Sequence, residues 1–172
     1  VAVTIRASRG GDSPALQTIE CLASDRFREV GLAHVADDEP FPVAVLETYA
    51  AEGRSWVAVD REDEPIGYVL VDVVDGNAHI EQVTVHPAHQ GRGIGRALLD
   101  RVRDWATNSG APAITLTTFS DVPWNRPLYE HLGFVVIPEQ SIGPELATVR
   151  QAEAAHGLDP EQRVCMVLDL GQ

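Results

Sequence analysis

The residues of this 172-residue chain best suited to chemistry are Gln90-Gly91-Arg92-Gly93-Ile94-Gly95. A strand-like run leads into them and a helix-like run leaves them. Free backbone N–H groups and a helix N-terminus therefore converge on one turn, which can hold a phosphate without a metal. Gly91, Gly93 and Gly95 permit backbone angles or close approaches denied to larger residues, and Arg92 adds a cation, so the ligand that suits the turn is a pyrophosphate. Two nucleotide patterns fail here. Gly95-Arg96-Ala97 lacks the Gly-Lys-Ser or Gly-Lys-Thr ending of a Walker loop. A dinucleotide fold places its glycines in the first βαβ unit rather than behind a meander. A tight loop packed against a sheet is the alternative for an isolated glycine run.

The elements that must position this turn are legible from periodicity. Val3 to Arg6 reads as an opening strand, Asp12 or Ser13 as a helix cap, and Leu16, Ile19, Leu22 and Ala23 as one helical face. An acidic, proline-broken connection follows at Asp37-Asp38-Glu39-Pro40-Phe41-Pro42, then a short helix over Val43 to Ala51. Ser55 to Val59, Ile66 to Val74 and His79 to Val85 read as strands joined by polar turns, the second being Asp75-Gly76-Asn77, and together they predict an antiparallel meander. Ile94, Leu98, Leu99, Val102 and Trp105 recur at helical spacing to about residue 108, and Ala113 to Thr117 is the next strand. Strand, helix, strand implies parallel pairing through a right-handed crossover. A short helix over Asn125 to Leu132, a strand over Phe134 to Ile137, a long connection at 138–161 with a helix over Glu145 to Ala155, and a last strand over Arg163 to Leu170 complete the chain.

Length fits one domain spanning residues 1–172, and 44% hydrophobic with 23% charged residues is ordinary for a globular protein. The formal net charge of −13 argues against unaided nucleic-acid binding and would draw in a cationic small molecule or basic peptide, unless it serves solubility alone. Cys21 and Cys165 stand too far apart to signal a disulfide framework or a metal knuckle, and a buried thiol is the expectation for each. His86, His89, His131 and Asp121 match no short zinc pattern, so no metal is expected. No run reaches ~18 apolar residues and no signal-peptide pattern is present, so no membrane partner is expected and the cytoplasm is the expected compartment.

Val83-Thr84-Val85-His86-Pro87-Ala88-His89-Gln90-Gly91-Arg92-Gly93-Ile94-Gly95-Arg96-Ala97-Leu98-Leu99 resembles the acetyl-coenzyme A motif of the GNAT superfamily of N-acetyltransferases. Asn125-Arg126-Pro127-Leu128-Tyr129-Glu130-His131-Leu132-Gly133-Phe134 resembles that family's later helix-to-strand motif, in the expected order. The resemblance implies an α/β GNAT fold, a mixed and mostly antiparallel sheet flanked by helices and splayed at its fourth and fifth strands. It implies acetyl-CoA as cosubstrate, without a metal. The pantetheine arm would lie along the backbone of Val83, Thr84 and Val85. The pyrophosphate would be ringed by Gln90, Gly91, Arg92, Gly93, Ile94, Gly95 and Arg96, with Asn125 at a position that often contacts cofactor or bound water.

Acetyl transfer to an amine needs a route for the amine's proton and a donor near the departing sulfur. Glu81 is the best base candidate, and strand alternation puts it on one face with His79 and Val83, so His79 is a second candidate on a water-lined route. Without that duty Glu81 is a surface carboxylate. By resemblance Tyr129 is the phenol that donates a proton or hydrogen bond to the thiolate, the alternative being a packed tyrosine. Asn125 would also suit a helix cap. Trp56, Phe119 and Trp124 read as packing groups that border the acceptor side. The expected activity is direct acetyl transfer in a ternary complex to a primary amine of a small cationic molecule. The alternatives are a protein or peptide amine, a larger acyl donor, and a non-catalytic CoA-binding regulatory protein. The 138–161 connection would either cover the acceptor or supply a homodimer contact.

Overall fold

The structure, a computed structural model, describes residues 3–171. Its elements in chain order are β1 (Thr4–Ala7), α1 (Ser13–Ser24), α2 (Ala33–Ala36), α3 (Val43–Ala51), β2 (Ser55–Val59), β3 (Pro65–Val74), β4 (Asn77–Val85), α4 (Ile94–Asn108), β5 (Ala113–Phe119), α5 (Arg126–His131), β6 (Val135–Val136), α6 (Pro144–Ala155) and β7 (Arg163–Asp169). The seven strands hydrogen-bond in the order β1-β2-β3-β4-β5-β7-β6. β1–β2, β2–β3, β5–β7 and β6–β7 are antiparallel, and β4–β5 is parallel. This is the GNAT-like mixed sheet flanked by helices that the resemblance implied.

The chain divides into two compact units. One runs to Val71 and resumes over Gln82–Val102, and the other comprises Asp72–Glu81 with Arg103 onward.

In the first unit Leu16, Ile19, Leu46, Val57, Val59, Tyr68 and Leu70 form the core, with Phe41 and Tyr49 against it. Leu16 and Ile19 hold the expected inner face of α1, but Leu22 is 46% exposed because that helix buries a narrower stripe. Asp12 precedes α1 without capping it through its side chain. Its carboxylate instead accepts from Arg9 N at 2.7 Å and from Arg6 at 2.9 and 3.0 Å. Cys21 is exposed rather than buried, lying on the outer side of α1. Two short pieces, a 3-10 turn over Asp25–Val30 and α2, occupy a stretch to which periodicity assigns nothing. Pairs of residues such as Leu16 and Ile19 or Ile94 and Leu98 repeat a helical stripe over several turns, which four residues cannot do.

In the second unit Val74, Leu146 and Cys165 are buried together, with Ile137, Ile142 and Val149 packed on them. The β3–β4 turn has positive φ at Asp75 (51°) and Gly76 (76°), the mirror-image turn that matches strand twist in a tight hairpin. The Asp75 carboxylate then accepts from the backbone of Glu145 and Leu146, both at 3.0 Å, and so satisfies orphan N–H groups at the start of α6. Gly143 approaches that carboxylate so closely that any Cβ would collide with it.

Among the described residues no helix is long and apolar enough to cross a membrane.

Candidate active site

The glycine turn lies in the first unit, between β4 and α4. His86 fixes its entrance: its backbone N–H donates to Ile66 O at 2.8 Å, and its Nδ1 accepts from Ala88 N at 3.1 Å. Gln90 Nε2 donates to Val85 O at 3.2 Å, tying the turn to the end of β4. Gly91 and Gly93 adopt φ of 75° and 79°, a region that L side chains enter only with strain. Nothing lies within 4 Å of where a Cβ would stand on either, so both present bare backbone to open space. α4 is fifteen residues long, and Ile94, Leu98, Val102 and Ala106 are buried along one side. An anion above its first turn meets a fixed row of N–H donors and the positive end of the helix. Exposed Arg92 and Arg96 supply cations at the same turn. The donor set fits a diphosphate. Gly67 on β3 makes room for this arrangement, because a Cβ there would stand 3.1 Å from Thr84 O and 3.3 Å from Ile94 Cγ2.

The second unit gathers the ionisable groups. β4 and β5 pair as Ala78↔Ile114, His79↔Thr115 and Ile80↔Leu116. On one face of these strands His79 Nδ1 and Thr115 Oγ1 are hydrogen-bonded at 2.9 Å. His79 is 1% exposed, and burial holds its pKa below the usual value despite the carboxylates of Asp72 and Glu153. An imidazole so placed is neutral near pH 7 and closed off from bulk water.

Glu81, two residues on and on the same face, keeps an exposed surface. Its carboxyl is pushed up to about 7, first by loss of hydration among surrounding atoms, then by the negative charges of Asp72 and Glu153 and a side-chain hydrogen bond with Asp72, with Arg163 opposing. Because water still reaches Glu81, this is a group at a crowded rim rather than in a sealed interior.

Tyr129 lies in α5, its ring edge-on to Phe134 with centroids 5.8 Å apart. Burial raises its hydroxyl to about 12, and Arg163 pulls the other way. Asn125 occupies the N-cap position of α5, but its side chain does not cap that helix. Its Oδ1 accepts from Thr118 Oγ1 at 2.9 Å and Phe119 N at 3.4 Å, fastening the start of α5 to the end of β5. The capping expectation is corrected accordingly: β5 offers that oxygen better donors than the short helix does.

Four residues to which the sequence reading gives no site role complete the cluster: Asp72, Thr117, Glu153 and Arg163. Arg163 Nη2 donates to Thr117 Oγ1 at 2.9 Å and to Glu153 Oε1 at 3.0 Å, and its guanidinium stands 4.6 Å over the Phe119 ring. Phe119 is buried, as is Trp56, over which Arg101 lies at 5.7 Å, so both have the packing role expected of them. Cys165 is buried and its thiol is raised by desolvation, which disfavours the thiolate a covalent route would need. Among the described residues no group of three or more His, Cys, Asp or Glu is arranged to hold a metal.

Comparison with known proteins agrees with this geometry. The sequence profile described as Acetyltransferase (GNAT) family matches residues 17–134. The peptidyl-lysine N-acetyltransferase YjaB of Escherichia coli is 24% identical over 136 residues, covering 79% of this chain and 84% of YjaB. The mycothiol acetyltransferase of Beutenbergia cavernae is 27% identical over 154 residues, covering 76% of this chain, and the chain spans only 52% of that relative's length. Among solved structures, yncA of Salmonella typhimurium with its cofactor acetyl-CoA superposes with a TM-score of 0.68 at 23% identity, covering 100% of this chain and 96% of the other. The chain belongs to the GNAT family of acetyl-CoA-dependent acetyltransferases.

Proposed function

We propose that the chain acetylates a primary amine of a small cationic molecule by direct attack in a ternary complex. The observation that carries this reading is the Glu81 carboxyl, held at about 7 in a cluster with Asp72 and Glu153. Such a group is partly ionised at neutral pH, and its negative surroundings favour an arriving ammonium.

Acetyl-CoA supplies an acyl group activated as a thioester. Residues Gln90 to Gly95 hold its diphosphate through backbone N–H groups, assisted by Arg92 and Arg96, and the backbone of Val83, Thr84 and Val85 receives the pantetheine arm. Asn125 steadies the end of β5 and the start of α5. Glu81 accepts the amine's proton, directly or through water, as the new C–N bond forms and the C–S bond breaks. The Tyr129 hydroxyl donates a hydrogen bond to the departing sulfur. A phenol at about 12 is a much weaker acid than an ordinary thiol at ~8.5. Tyr129 therefore stabilises the thiolate by hydrogen bonding and keeps its own proton. Neutral, buried His79 supports the strand pair through Thr115 rather than relaying protons.

A lysine side chain of a peptide is the second reading, favoured by the likeness to YjaB, a peptidyl-lysine N-acetyltransferase. The deciding experiment is a turnover screen with acetyl-CoA against small di- and polyamines, amino sugars and lysine peptides, with mass spectrometry locating the acetylated atom. Turnover of a small polycation well above that of any peptide is expected. Acetyl transfer confined to peptides would replace the first reading with the second, and tight acetyl-CoA binding without transfer to any amine would remove both.

A further inference from the structure

Two chain-distant residues, Glu153 of α6 and Arg163 of β7, form an ion pair whose neighbours are the groups assigned to proton handling. The parallel register advances one residue in each strand, so beyond Ile80↔Leu116 the next positions are Glu81 and Thr117. One step earlier on the same face, His79 and Thr115 already touch through a hydrogen bond. Thr117 is the anchor of the ion pair: its hydroxyl meets both Arg163 Nη2 and Glu153 Oε1. The paired ladder ends at Ile80↔Leu116, and Glu81 and Thr117 are the residues that follow it on the His79–Thr115 face, so the ion pair is anchored beside the end of the ladder from which Glu81 emerges.

The pair is largely buried, with side chains 10% exposed for Arg163 and 18% for Glu153. It is also incompletely satisfied, since Glu153 Oε2 and Arg163 Nε are buried without a hydrogen-bond partner among the described residues. Leaving charged atoms unpaired inside a protein is costly, so stability alone is a poor reason for this pair. Its charges are incompletely quenched and reach their neighbours through a medium less polar than water.

We propose that Glu153 and Arg163 are positioning residues of the acetyl-transfer site: anchored on Thr117, their ion pair sets the pH at which Glu81 takes up its proton. Arg163 also supplies the cation that acts on Tyr129. The proposal rests on the role assigned to Glu81 above. The charged groups acting on Glu81 are Asp72 from β3, Glu153 from α6 and Arg163 from β7; Glu153 and Arg163 act in opposite directions.

The test measures the Glu81 carboxyl titration by carbon-detected NMR in the free protein, alongside the pH dependence of kcat/KM. The variants are Glu153→Gln, Arg163→Gln and Arg163→Lys, with Glu81→Gln to assign the signal. Glu153→Gln removes an anion and should move the Glu81 midpoint down by about 0.5–1 pH unit, whereas Arg163→Gln removes a cation and should move it up by a similar amount. Arg163→Lys keeps the charge and should restore most of the wild-type midpoint. Shifts in one common direction, or none beyond ~0.2 unit, would overturn the proposal. If Arg163→Gln does not fold, Glu153→Gln alone decides by moving the midpoint down or leaving it in place. Loss of the base assignment reads differently: Glu81→Gln would then keep the acid limb of kcat/KM, while the NMR midpoints still report on the ion pair.

Discussion

Asp72 of β3 lies near enough to Glu81 of β4 to push its carboxyl upward, through its negative charge and through a side-chain hydrogen bond that two carboxyls make only when one of them holds a proton. The Glu81 carboxyl is pushed up to about 7. If Glu81 accepts the amine's proton, kcat/KM rises as pH climbs through that value, and any change that makes Glu81 more acidic moves the rise to lower pH. Asp72→Asn removes a neighbouring negative charge and offers an amide donor to the ionised Glu81. The rise should therefore move down by about one pH unit, read from kcat/KM between pH 5 and 9. A rise that stays in place would separate the two carboxyls functionally.

Tyr129 tests the other end of the reaction. At about 12 its hydroxyl stays protonated throughout the stable pH range, so it should contribute no alkaline limb below pH 10. Tyr129→Phe removes a hydrogen bond to developing negative charge and should lower kcat about 10- to 100-fold. The Kd for acetyl-CoA, measured by calorimetry, should change less than about threefold. Equal losses in both quantities would make Tyr129 a packing residue under the donor.

Gly93 tests the phosphate turn. At φ 79° an alanine is strained by roughly 1–2 kcal/mol, and relief of that strain turns N–H groups away from the ligand. Gly93→Ala should weaken acetyl-CoA binding about 5- to 30-fold, leave kcat at saturating donor within a few-fold, and lower Tm by only about 2–8 °C, the backbone strain alone, since a Cβ there meets open space. Binding of the free acceptor should be unaffected. A large loss of Tm with unchanged donor affinity would make the turn structural.

Much of the scaffold was legible because its signals are local. Ile94–Asn108 carries its own apolar stripe, and Asp75-Gly76 marks its own turn, so these boundaries follow from neighbouring residues. The positive-φ demand at Gly91 and Gly93 is likewise written in the residue type. The charge cluster is a different matter. Asp72, Glu81, Glu153 and Arg163 lie on four elements, and they meet because β7 returns beside β5 and α6 fills the connection to it, which no spacing along the chain encodes. Alternation along β5 does mark Thr115 and Thr117 as one face, a local trace of where the cluster forms. Asn125 shows the reverse case: a residue type that suits a cap was drawn to Thr118 and Phe119 by tertiary contact.

The helix that carries Glu153, α6, is fastened at its start. Asp75 accepts from the N–H groups of Glu145 and Leu146, and Gly143 leaves the space that carboxylate occupies. Gly143→Ala would drive a methyl group into Asp75 and force one of them to move, while Asp75→Asn removes the charge that favours the helix N-terminus and retains only one acceptor oxygen. Each should cost about 1–2 kcal/mol in denaturant unfolding. Because α6 also carries Glu153, loosening its start should shift the kcat/KM rise to lower pH, the same direction as Glu153→Gln. Thr148→Ala, on the exposed side of α6 with its hydroxyl bonded to Pro144 O, should leave the rise in place. A Gly143→Ala protein that is destabilised yet keeps the wild-type pH profile would mean that Glu153 holds its position through Thr117 and Arg163 without help from the helix start.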